Sequence, residues 1–125
     1  MKTVLINGLT WFVCRVLPGA ASLIDRTGTP RLAVTDPATR TIYVSGSVTP
    51  PMLDRVLLHE VAHAITMSYG LLPSLRQDTS IIAVEEWAVK LLEKYSLQAI
   101  ILTGQILHRP VCIDNYCAVV AQESL

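Results

Sequence analysis

Two histidines four residues apart, with a glutamate directly after the first, make His59-Glu60-Val61-Ala62-His63 the stretch whose residue types and spacing best suit metal chemistry. Residues four apart on a helix project from one face, so both imidazoles would reach a single tetrahedral Zn2+ at about 2.0–2.1 Å. Glu60 would be turned away from ligation and set beside a zinc-bound water. There it would take a proton as hydroxide attacks a carbonyl and pass it to the leaving amine. A catalytic zinc ordinarily has three protein ligands and an open position, so a third donor is expected on another element. Glu85 and Glu86 are the candidates. Helical spacing puts Glu85 with Ile81, Ile82, Ala88 and Leu92 and turns Glu86 toward Lys90 and Glu93, which favours Glu85. The expected centre is one zinc per chain on His59, His63 and Glu85, with Glu60 as general base.

The competing reading is an amphipathic helix whose histidines fall in register by chance. Two of the chain's three histidines lie in this register, among Leu57, Leu58, Val61, Ala62, Ala64 and Ile65, and an apolar flank rarely carries three ionisable groups unused. A second zinc site on His108, Cys112 and Cys117 matches none of the strong structural patterns. Tyr43, Tyr69, Tyr95, Tyr116 and His108 are each able to donate to an oxyanion, and nothing in their spacing selects one. The three cysteines, Cys14, Cys112 and Cys117, include no CxxC pair, which suits reduced thiols in a reducing compartment over a disulfide framework, with a Cys112–Cys117 bridge as the alternative.

The elements that must position these residues follow from turn chemistry and periodicity. Residues 2–6 and 10–17 are β-rich runs joined at Asn7-Gly8, a dipeptide suited to a tight hairpin. Residues 19–30 read as a loop, in which Ala20 to Ile24 could make a short helical turn. Runs at 31–35 and 40–46, separated by Asp36-Pro37-Ala38-Thr39, form a second expected hairpin. Beyond Thr49, a candidate cap, Leu53, Val56, Leu57, Val61, Ala64 and Ile65 recur at spacings of three and four, so a helix is expected to about Ser68 or Tyr69, ended by Gly70. A second helix begins near Asp78 or Thr79, with Ile81, Val84, Ala88, Leu91, Leu92 and Tyr95 as its apolar stripe. Residues 97–107 prolong it or form a third helix, and 109–125 carry no firm assignment. The fold class is α+β: a small twisted sheet of about four strands packed on two or three helices in one domain, residues 1–125.

Ten basic residues balance ten acidic ones, leaving no positive field to attract nucleic acid or anionic lipid. The hydrophobic share of 51%, the charged share of 16% and a mean hydropathy of +0.45 suggest apolar surface that meets a partner or another copy of the chain. Asn7, Gly8 and Arg15 interrupt what would otherwise imitate a signal peptide, and no apolar run reaches the roughly 20 residues of a spanning helix. A soluble, unexported, cytoplasmic protein is expected.

The runs LLHEVAHAI (57–65) and EEWAVKLL (85–92) resemble the gluzincin metallopeptidases, in which one helix carries HExxH and the next a glutamate ligand. The match covers about 40 residues, and Glu85-Glu86-Trp87-Ala88 follows the pattern seen around the ligand glutamate. The small size and the strands before the helix are similar to minimal zincins of phages and prophages and, more distantly, to ImmA/IrrE-like peptidases, although the glutamate-alanine-asparagine signature of the latter is absent. The resemblance implies a zincin-like fold, a zinc endopeptidase acting on a protein or peptide substrate, and Thr41–Gly46 as an edge strand to which that substrate adds. Two alternatives stand beside it: a catalytically inactive zincin-like module that binds a protein partner, and an immunity or toxin role using the same chemistry.

Overall fold

The computed structural model describes residues 1–71, 80–114 and 116–118, without the side chains of 81, 82 and 116–118. It contains β1 (Lys2–Ile6), β2 (Leu9–Val16), β3 (Ala33–Asp36), β4 (Thr41–Ser45), α1 (Met52–Tyr69), α2 (Ile81–Leu107), β5 (Val111–Ile113) and β6 (Tyr116–Ala118), with a 3-10 turn at Ala21–Leu23. Asn7 and Gly8 take positive φ values of 50° and 73°, the handedness that a two-residue hairpin loop needs, and set Ile6 opposite Leu9. Val4, Ile6, Trp11 and Val13 then fall on one buried face.

The main sheet has the order β1-β2-β4-β3. β4 runs parallel to β2 and antiparallel to β3, so it is an inner strand, with Ile42 and Val44 in the core. The expectation that Thr41–Gly46 forms an edge is corrected. The chain leaving β2 doubles back through β3 before entering β4, and β3 takes the outer place.

Both helices cover the buried face of the sheet. α1 supplies Leu57, Val61, Ala64 and Ile65 and ends at Gly70, whose left-handed conformation lets Leu71 N–H reach the carbonyl of Thr66 at 2.9 Å. α2 is one continuous helix of 27 residues, so the stretch 97–107 prolongs it and no third helix forms there. Ser80 caps it by accepting from Ala83 N–H at 3.1 Å. The expected start at Asp78 or Thr79 and the turn at Pro73 lie outside the described residues.

Among the described side chains of α2, the buried core members Ala99, Leu102 and Ile106 lie in its last third. Nearer its start, contact is made by Trp87, whose indole donates to Leu71 O at 2.9 Å, and by Tyr95, which packs on Tyr69 with ring centres 4.9 Å apart. Val84 and Leu92, expected in the apolar stripe, are exposed.

The β5-β6 hairpin is tied to α1 by Asp54. Its inaccessible carboxylate accepts from Arg109 at 2.6 and 2.5 Å and from the Cys112 N–H at 2.8 Å. The Arg109 guanidinium holds the Asp54 carboxyl below its ordinary range, against the opposing effect of desolvation. Cys112, in register with Cys117, is disulfide-bonded, while Cys14 is free. This corrects the expectation of reduced thiols and removes the cysteine argument for a reducing compartment. Among the described residues, no helix is long and apolar enough to cross a membrane.

Candidate functional site: a groove between the edge strand and the histidine helix

The exposed side of α1 and the outer strand β3 enclose a groove of about 820 Å3. His59, Glu60, His63 and Met67 form its helical wall, Ala33 and Thr35 its sheet wall, and the loop around Asp25 one end. That loop is rigidly built: Asp25 accepts from the Thr27 hydroxyl, from the N–H groups of Thr27 and Thr29 at 2.9 and 3.0 Å, and from Arg31 Nε at 2.8 Å. These donors, the Thr27 hydroxyl foremost, hold the Asp25 carboxyl well below the usual carboxylate range. The Asp25–Arg31 pair is thereby neutralised within the loop.

His59 and His63 lie on the same face of α1, as their spacing requires. Both are exposed, with Nε2 atoms 3.1 Å apart and rings meeting edge to face at 4.8 Å. Glu60 takes a different direction. It is 8% exposed, and the Thr35 hydroxyl donates to its carboxylate while lying 3.2 Å from its main-chain carbonyl. Thr35 belongs to β3, so this contact fastens the outer strand to the middle of α1.

Among the described residues, no three His, Cys, Asp or Glu side chains come together in a group that could hold a metal. Glu85, the expected third ligand, is exposed on α2, and so is Glu86. The helix meets the body through Trp87 and Tyr95, and Glu85 lies off that face. The expectation of one Zn2+ on His59, His63 and Glu85, activated through Glu60 for peptide hydrolysis, is therefore overturned. Two imidazoles supply only two of the three protein ligands a catalytic zinc ordinarily takes, and the carboxylate expected as general base is engaged with a strand. Among the described residues His108 and Cys112 join no such group, and the side chain of Cys117 lies outside them. His108 is exposed and ends α2 in a left-handed conformation with φ 57°.

Of the tyrosines, Tyr43 borders the groove from the opposite face of the sheet, in register with Val34, and Tyr69 accepts from Gln98 Nε2 at 3.3 Å outside it. The side chain of Tyr116 lies outside the described residues. Thr35 was missed in the sequence, where it is an ordinary β-branched residue at the end of a strand run. The signal available was its two-residue alternation with Ala33, which places both on the face toward α1. Comparison with models of known protein families, with curated proteins and with solved structures finds no match. The likeness to gluzincins rests on residues 57–65 and 85–92 alone.

Proposed function

We propose that this domain is a binding module that receives an extended segment of a protein partner along the outer edge of β3, on a zincin-like scaffold whose histidine helix forms the opposite wall. The observation carrying this reading is the orientation of the β3 backbone. Ser45 N–H bonds to Leu32 O at 2.8 Å, and antiparallel pairing alternates, so Val34 and Asp36 direct their backbone groups to β4 while Ala33 and Thr35 direct theirs outward. Among the described residues no strand pairs with that side. A strand edge offering unpaired N–H and C=O groups is a template for strand addition, and the neighbouring groove leaves room for side chains of an added segment. His59 and His63 would contribute polar contacts to that segment. The Thr35–Glu60 contact supports the reading from beneath, because it fixes the distance between edge and helix.

The test is selection of displayed random peptides on the wild-type domain, followed by measurement of each binder on Ala33→Pro. That substitution removes an outward N–H and leaves the β3-β4 ladder intact. Selected peptides are expected to lose roughly tenfold or more in affinity on Ala33→Pro and to protect the Thr35 amide from hydrogen exchange. Binders indifferent to Ala33→Pro, with protection elsewhere, would reject the assignment.

A further inference from the structure

A second cavity, of about 420 Å3, shares none of its described lining residues with the groove. Its walls are Val13 and Val44 of the sheet, Leu53 and Leu57 of α1, and Ile106 and Leu107 of α2. Met1, Lys2 and Arg15 complete the lining, and among the described residues no acidic one contributes to it. Their meeting follows from strand register. Lys2 stands opposite Val13, which makes Arg15 its diagonal neighbour on the same face, at a separation that long side chains bridge. Two exposed cations thus project from the helix-bearing side of the sheet beside an apolar slot.

Both are held in place by carbonyl groups. The Lys2 ammonium donates to Ile106 O in the last turn of α2, where main-chain carbonyls lack helical partners. Arg15 Nη2 donates to Val48 O at 2.5 Å and approaches Ser45 O and Gly46 O at 3.4 Å. Among the described residues, neither cation forms an ion pair, and Arg15 Nε and Nη1 have no acceptor. A carbonyl satisfies a donor without neutralising its charge. The slot therefore combines apolar walls, a volume within the small-molecule range and an uncompensated double positive charge.

From this combination we infer that the cavity is a binding site for an unbranched apolar monocarboxylate of the fatty-acid class, its hydrocarbon chain in the slot and its carboxylate between Lys2 and Arg15. This site does not depend on the peptide-binding reading, since the two share no described lining residue. The chemistry separates it from a general apolar crevice. An alcohol of equal chain length offers the same hydrocarbon and no charge, and each methylene removed weakens binding by up to about fourfold.

The experiment is titration calorimetry of the full chain with dodecanoate, octanoate and dodecan-1-ol below their aggregation limits, with methyl NMR to locate the ligand. Dodecanoate should bind with saturation, octanoate more weakly, and the alcohol roughly tenfold more weakly than the acid. Shifts should centre on Val13, Val44 and Leu57. Lys2→Gln, at an exposed position, should weaken the acid roughly tenfold and leave the alcohol unchanged, and Leu53→Trp should block both by filling the slot. Absence of saturable binding, equal affinity for acid and alcohol, or shifts confined to the exposed apolar residues of α2 would each overturn the assignment and leave Lys2 and Arg15 as carbonyl caps only.

Discussion

The contact between Thr35 and Glu60 can be weighed by a double-mutant cycle, because it joins two elements through one hydroxyl and one carboxylate. Glu60 is 8% exposed, so solvent cannot fully replace the threonine once it is lost. A hydrogen bond to a charged group contributes roughly 1.5–3 kcal/mol and a neutral one about 0.5–1.5, so Glu60→Gln, which keeps an acceptor, should cost about 1 kcal/mol. Thr35→Val leaves the carboxylate without its donor and should cost about 2 kcal/mol. The coupling between the two sites should then fall at about 1–2 kcal/mol, within the range found for residues in direct contact. Urea unfolding of the wild type, both single variants and the double variant measures it, since a change in midpoint at constant slope reads directly as stability. Additivity to within about 0.3 kcal/mol would refute the argument that Glu60 holds β3 to α1. Proteolysis by the wild type that disappears in Glu60→Gln would refute the correction of the hydrolytic role as well.

Asp54→Asn should lose about 2–3 kcal/mol in the same assay, less than the sum of its bonds because asparagine retains an acceptor for the Cys112 N–H. The folded-state pKa of Asp54 is lowered from the ordinary 3.8, so its stabilisation is present above that value and is lost as pH falls through the depressed one. The gap between wild type and Asp54→Asn should accordingly close only in strong acid, and a gap unchanged there would contradict the ion pair with Arg109. Metal analysis of chain purified without added metal should find no stoichiometric zinc, with no difference for Glu85→Ala. Near one zinc per chain, lost in both His63→Ala and Glu85→Ala, would restore the three-ligand site.

Much of the local structure was legible because its causes lie within a few residues. Asn7-Gly8 supplies the positive φ values of the hairpin loop, and Gly70 the left-handed cap of α1. The three-and-four spacing of Leu57, Val61, Ala64 and Ile65 fixes which side of α1 is buried. It follows that His59 and His63 share the opposite, accessible side. Glu60 differs: helical position turns it away from the histidines, but only β3 decides what its carboxylate meets.

The rest depended on contacts remote in sequence. Periodicity gave α2 more than one apolar direction, and packing against Leu71 and Tyr69 through Trp87 and Tyr95 chose among them, which left Glu85 in solvent. Both hairpins could be read from their turns, whereas the parallel pairing of β2 with β4 could not, because strand order is set by which apolar faces close over the helices. That order made β3 the edge and created the groove. The sequence by itself determined the elements and the face on which the histidines stand, since backbone dihedrals and short-range periodicity are local. Tertiary structure decided which strand is open, which carboxylates are engaged and that Cys112 is bonded, since each depends on surfaces brought together from distant parts of the chain.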